Sequence, residues 1–173
     1  MARQVVANYS SRHCWFDQIR GIVWIAIPKC ASTSLMEVIS TGDPYQLAGR
    51  EIPKKYFSVM FIRHPWQRLA SAMRHLEETT MDGVFENWMN RDPEEFNEHI
   101  RPFWCFHAQY RLDFVGRLES LEEDWKRLQE DVGLPCLPRK NKAPKKVRWW
   151  ELDFDWSLIE EIYKPDFELF NSL

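Results

Sequence analysis

Seven consecutive residues, Gly21-Ile22-Val23-Trp24-Ile25-Ala26-Ile27, carry no charged or hydrogen-bonding side chain apart from the indole of Trp24, and Pro28 closes them. A short apolar, β-branched run bounded by Gly and Pro is the pattern of a strand covered on both faces, as in parallel sheets. This run is expected to be the first central strand, and it constrains the rest of the chain: both of its faces need helices.

The remaining sequence supplies them. Residues 34–40 read as a helix, because Leu35, Val38 and Ile39 recur at helical spacing before Thr41-Gly42-Asp43-Pro44 breaks the pattern. Residues 56–62 repeat the strand signal, and Pro65 suits the first turn of a helix running to about residue 78. A third strand is expected over 112–116 and a helix over 119–131, with Leu121, Trp125 and Leu128 on one face and closure at Gly133 and Pro135. Asp155 is a cap residue for a last helix carrying Leu158, Ile159, Ile162 and Tyr163 until Pro165 interrupts, after which Phe167 and Phe170 dock. Repeated strand–helix units predict an α/β fold: a three-layer, P-loop-like open parallel sheet flanked by helices. The acidic, aromatic stretch 81–110 has only patchy helical spacing and is expected to cap one end of the sheet. With 173 residues the chain fits a single domain, residues 1–173.

The loop after the first strand, Ile27-Pro28-Lys29-Cys30-Ala31-Ser32-Thr33-Ser34-Leu35, raises the question of a ligand. Where a parallel strand turns into a helix, the first helical amides lack partners and the positive end of the helix dipole faces out, so an anion is favoured. Lys29 adds a formal charge, and Ser32, Thr33 and Ser34 add hydroxyl donors, which suits a phosphoryl or sulfuryl group. Ser34-Leu35-Met36-Glu37 equally matches a capping box that only closes the helix end. The second unit repeats the cationic theme: Arg63 sits at its strand end, and Arg68, Ser71 and His75 follow at i, i+3 and i+7 on one helical face. If the two strands are neighbours, two anion cups open at one sheet edge, as a ligand with two separated anionic groups requires.

Overall charge narrows the alternatives. A formal net charge of −3 gives no global case for nucleic-acid binding. Positive charge is instead concentrated in residues 139–148, six basic residues in ten with no acid. The four cysteines show no CxxC pair and no His/Cys grouping of metal-ligand spacing, so free buried thiols and no metal site are expected. The N-terminal residues lack the apolar core of a secretory signal, and no apolar run is long enough to span a bilayer; a soluble, cytoplasmic protein is the expectation.

The two segments resemble the 5′-phosphosulfate and 3′-phosphate motifs of sulfotransferases that use 3′-phosphoadenosine 5′-phosphosulfate, PAPS, in particular the carbohydrate sulfotransferase family of the chondroitin and HNK-1 type. RLDFVGRLESLEEDWKRL resembles that family's DFVG-(R/K/H)-(F/Y)-E-x-L-E-E-D segment, and EIYKPDFELFNSL its closing Y-x-x-D-F-x-x-F pattern. By position, the resemblance implies that Lys29, Cys30, Ala31, Ser32, Thr33 and Ser34 hold the 5′-phosphosulfate, and Arg63 and Ser71 the 3′-phosphate. It further implies direct in-line transfer of the sulfuryl group to an acceptor hydroxyl or amine, with a carbohydrate as the expected partner and lipid, small phenolic and peptide acceptors left open, no metal required, and adenosine 3′,5′-bisphosphate as product. Lys29 would neutralise charge growing on the leaving phosphate.

His99, in NEHIRPFW, resembles the family's H-(W/F)-x-P-Q block, with Phe103 in place of glutamine, and is the candidate base for the acceptor proton. Glu37 is its rival; His13 and His107 come after. His75 is expected to be a solvated helix residue. Lys140 and Lys142 fall where relatives have a loop over the nucleotide and are assigned to phosphate with Arg139, while Lys145, Lys146 and Arg148 suit an anionic acceptor. Ala31 stands where many relatives carry glycine, which the loop tolerates if it needs no positive φ there. Two other readings use the same residues. A P-loop-type kinase would need GxxxxGK[ST], which is absent. A non-catalytic polyanion-binding module would act through the basic run.

Overall fold

A computed structural model describes residues 13–42, 44–46, 55–76, 92–107, 111–138, 150 and 156–173. The strands are β1 (Cys14–Asp17), β2 (Ile22–Ile25), β3 (Tyr45–Gln46), β4 (Phe57–Ile62) and β5 (Phe114–Arg117). The helices are α1 (Ser32–Ser40), α2 (Pro65–His75), α3 (Trp104–His107), α4 (Leu121–Val132), α5 (Trp156–Ile162) and α6 (Lys164–Asn171), with 3-10 turns at Pro93–Glu95 and Leu118–Ser120. Among the described residues no helix is long and apolar enough to cross a membrane.

The sheet order is β3-β1-β2-β4-β5. β2, β4 and β5 are parallel neighbours, as the repeated strand–helix units require. The expectation of an all-parallel sheet is corrected on the other side, where β1 runs antiparallel to both β2 and β3. A tight hairpin makes this possible. Gly21 adopts φ +68, and the buried Asp17 carboxylate accepts the Arg20 main-chain N–H at 2.9 Å and its Nη1 at 2.6 Å. Arg20 Nη2 donates in turn to Thr41 Oγ1 at 2.8 Å, tying the hairpin to the end of α1. Gly42 is required beside it, since a Cβ there would stand 2.1 Å from Asp17.

Alternation along the strands sends side chains to two separate cores. Val23, Ile25, Met60 and Ile62 point to the face covered by Phe103, Phe106, Leu169 and Phe170. Ile22, Trp24, Val59 and Phe61 point to the other, under Leu35, Val38 and Ile39 of α1 and Trp125 and Leu128 of α4. Helical elements therefore lie against both faces, and each fully buried large side chain contributes about 1.5–3 kcal/mol. A third cluster joins Leu69, Ala72 and Met73 of α2 to Phe96, Ile100, Ile159 and Tyr163.

The predicted boundaries shift by a few residues. The third strand starts at Phe114 rather than 112, and its helix begins with the 3-10 turn before α4 closes at Gly133, φ +69. α2 ends at His75, three residues before the predicted end. The expected break near Pro165 is present, since α5 ends at Ile162, and Pro165 itself stands in the first turn of α6, where its missing N–H costs nothing. Asp155, residues 81–91 and residues 108–110 lie outside the described residues.

The closing Y-x-x-D-F-x-x-F residues act as a staple. The Tyr163 hydroxyl donates to the Ile100 carbonyl. The Asp166 carboxylate accepts the N–H groups of Phe103 at 2.7 Å and Trp104 at 2.9 Å, at the start of α3. Burial pushes the Asp166 carboxyl up to about 7, against the pull of those two amides and of Arg68.

Candidate functional site

Because β2 and β4 are adjacent and parallel, their carboxyl ends reach the same edge. The loop from β2 into α1 has an unusual main chain. Lys29 and Ala31 both adopt positive φ, +68 and +60, and are the non-glycine residues that do so among those described. Cys30 between them does not, so the sign of φ alternates over three residues. Alternation of this kind is the main-chain pattern of anion-binding concavities, and here the Cys30 N–H is engaged by the Ile27 carbonyl at 3.2 Å. The first helical hydrogen bonds come from Ser34 and Leu35 to the Ala31 carbonyl, at 3.0 and 3.1 Å, so the amides of Ala31, Ser32 and Thr33 precede them.

Two expectations are corrected here. Ala31 stands at a position of positive φ that glycine would accept without strain. The capping box is not formed: α1 begins at Ser32 with Ala31 as its cap residue, and no side chain caps it. The hydroxyls of this segment are not spent on the helix end. Cys30 contributes main chain only, because its thiol is fully buried in the core and burial pushes it up to about 11.

Lys29 is half-buried, and its pKa is lowered by burial, then by Arg63 and then by Arg68. Arg63, at the end of the neighbouring parallel strand, thus acts on Lys29 more strongly than Arg68 does. Burial also lowers the pKa of Arg63. Among the described residues no carboxylate forms an ion pair with either cation. Beside Arg63, the His64 N–H donates to Glu119 Oε1 at 2.9 Å, which ties the β4–α2 junction to the β5–α4 junction. The His64 ring packs edge-on against Phe170 and Phe167, with ring centres at 5.1 and 5.8 Å.

Arg68, which the helical spacing places on the anion-facing stripe, is only 1% exposed. Its Nε donates to the Pro28 carbonyl at 3.0 Å, Nη1 to the Arg101 carbonyl at 2.6 Å, and Nη2 to the Glu98 carbonyl at 3.3 Å. An open anion cup therefore cannot use it. Ser71, one turn on, is half-buried.

His99 sits within electrostatic reach of Lys29. Burial lowers its pKa first, His75 second, and Lys29 and Arg68 act in the same direction, while Glu98 opposes them. Its Nε2 stands 4.0 Å from Glu98 Oε1, and Glu98 Oε2 is 3.3 Å from His13 Nε2. Its main-chain N–H is held by Asn97 Oδ1 at 3.0 Å, and its buried Nδ1 has no hydrogen-bond partner among the described residues. His75 is an exposed helix residue, as expected, and its ring also stands 4.5 Å from that of His99 in an edge-to-face pair. Sequence spacing held no signal for that pairing, which is purely tertiary.

Lys29, the 30–34 segment, Arg63 and His99 are thus brought to one region. Glu37 lies further along α1, in its second turn. Lys140, Lys142 and the rest of the basic run lie outside the described residues, as does the side chain of His107. Among the described residues no group of three or more His, Cys, Asp and Glu could hold a metal ion.

A model of the Sulfotransferase family matches residues 39–171, starting within α1 and ending at the last residue of α6. Carbohydrate sulfotransferase 11 of Rattus norvegicus is 24% identical over 244 aligned positions, which cover 98% of this chain and 69% of that protein. Carbohydrate sulfotransferase 12 of Mus musculus is 23% identical, covering 95% of this chain and 61% of its own length. Carbohydrate sulfotransferase 14 of Danio rerio is 25% identical over 57% of this chain and 35% of its own. No solved structure matches the chain at a significant level.

Proposed function

The chain belongs to the sulfotransferase family, and from that premise we propose that it transfers a sulfuryl group from PAPS to a hydroxyl of a carbohydrate acceptor. The relatives' names motivate the acceptor class. The observation that carries the donor site is the pairing of Lys29 and Arg63, half-buried cations at neighbouring strand ends, with no carboxylate partner among the described residues. Glu119 acts on Arg63 as a partial counter-charge without an ion pair, and burying cations with incomplete compensation is costly. A doubly anionic nucleotide would offset that cost at both.

In this reading the sheet edge works as a P-loop-like cradle. The convergent amides of residues 31–33, the hydroxyls of Ser32, Thr33 and Ser34, and Lys29 hold the 5′-phosphosulfate, while Arg63 and Ser71 hold the 3′-phosphate. Lys140 and Lys142, outside the described residues, are assigned to the nucleotide's phosphates from their place in the sequence. The acceptor oxygen attacks sulfur as the bond from sulfur to the 5′-phosphate oxygen breaks, and His99 takes the acceptor proton. Lys29 neutralises the charge that grows on the departing phosphate, leaving adenosine 3′,5′-bisphosphate. An interaction stronger in the transition state than in the ground state accelerates the step. The lowered pKa of His99 keeps its ring neutral, as a base must be, near pH 7.

Thermal shift with three ligands tests the reading. Adenosine 3′,5′-bisphosphate is expected to stabilise the protein most, by about 2.7 kcal/mol at a hundredfold excess over Kd. A larger shift with ATP and Mg²⁺ would favour a kinase, and one with heparin that disappears in salt would favour a polyanion-binding module.

A further inference from the structure

We propose that Arg68 is a positioning residue that holds the Lys29 loop and the His99 segment in register, so that donor and base are aligned by one guanidinium. The proposal rests on the sulfotransferase reading above. Its basis is the pattern of acceptors. The three donors of Arg68 reach carbonyls in two segments remote in sequence: Pro28, the residue before Lys29, and Glu98 and Arg101, on either side of His99.

A guanidinium presents its donors in a rigid planar fork, so fixing the plane against one segment fixes the direction of the bonds to the other. A lysine at this position keeps the charge but radiates its donors from a single nitrogen. The helix supplies the rigid base, since α2 is anchored by Leu69, Ala72 and Met73 in a buried cluster that also holds Ile100. Around the guanidinium, Phe106 lies with its ring centre 5.8 Å from the Arg68 Cζ, and Asp166, Cys30, Tyr163, Lys29 and His99 all feel its charge. A buried cation bonded to carbonyls is a costly way to fill space. The three bonds give it a specific use, because an error of about 1 Å between reacting groups costs roughly a hundredfold in rate.

Arg68→Lys is the test, read with three measurements: thermal unfolding, stabilisation by adenosine 3′,5′-bisphosphate, and kcat and KM for PAPS turnover on a carbohydrate acceptor. The expected result is a folded protein that still binds the bisphosphate, with an unchanged acceptor KM and kcat lower by about a hundredfold. Turnover within threefold of the unaltered chain would show that charge alone suffices and would overturn the proposal. So would a common fall in kcat, bisphosphate affinity and thermal stability, the mark of a merely structural arginine. Should the variant not fold, the unaltered protein decides: the main-chain amide signals of residues 98–101 must respond when bisphosphate is titrated in, and silence there refutes the coupling. An unaltered chain that neither binds bisphosphate nor uses PAPS would sink the functional reading itself and this proposal with it.

Discussion

The two strand-to-helix junctions at the working edge solve the same problem differently. Neither helix is capped by a side chain, but the first junction, from β2 to α1, is strained: two non-glycine residues hold positive φ. The second, from β4 to α2, is relaxed: His64 has φ −47 and ψ 126, Pro65 presets the first turn, and Glu119 satisfies the His64 amide. Positive φ costs about 1–2 kcal/mol for each residue with a Cβ. Strain of this kind persists where the surrounding structure imposes it, and it gathers at functional sites. In the proposed function the first junction works through its main chain, whose amides would surround an anion. The second offers a side chain, Arg63, and its backbone is free to be ordinary.

That contrast can be broken most sharply at Lys29. Lys29→Ala is expected to lower kcat by about 10²–10³-fold, with the thermal midpoint and bisphosphate binding largely retained, in steady-state turnover and thermal shift. Arg63→Ala should act on the other axis, weakening bisphosphate affinity by about ten- to a hundredfold, the loss of one charge-assisted contact, as read by calorimetry. If both substitutions moved kcat and affinity alike, the division of labour between the junctions would be wrong.

The third test concerns pH. His75 and Lys29 help hold the His99 pKa below its usual 6.5, so the neutral ring persists as pH falls and turnover is lost only below that lowered value. His75→Ala removes one of these influences and is expected to move the acidic limb of the kcat profile to higher pH. An unmoved limb would remove His99 from the role of base. The smallest effect is expected at Ala31. Ala31→Gly should raise stability by about 0.5–1 kcal/mol in denaturant unfolding, since relief of the αL strain outweighs the added freedom of the unfolded chain, and should leave turnover within a few-fold. Destabilisation would mean that the loop is not strained.

Much of this architecture was legible because the decisive signals are local. The apolar run at 22–27 and the alternation between strand and helix periods located β2, β4, α1, α2 and α4 to within a few residues. β1 escaped because four residues, Cys14–Asp17, are too few to display a period, and its pairing depends on a hairpin turn closed by Asp17 and Arg20. The cations Lys29 and Arg63 were visible as chemistry at strand ends. Arg68 was misplaced because helical spacing gives the face of a residue but not what lies opposite it; here the opposing carbonyls come from two remote segments. The sign of φ at Lys29 and Ala31 was equally out of reach, since neither residue is the glycine that ordinarily advertises such a turn.

The staple made by Tyr163 and Asp166 has a consequence for synthesis. These anchors lie 63 and 62 residues downstream of Ile100 and Trp104, the groups they secure. At translation rates of about 5–20 residues per second, roughly 3–13 s separate the making of the segment from the arrival of what fixes it. During that interval Phe103 and Phe106 have no C-terminal helix to cover them, so the nascent chain presents its stickiest surface to chaperones and neighbours before the catalytic edge can set.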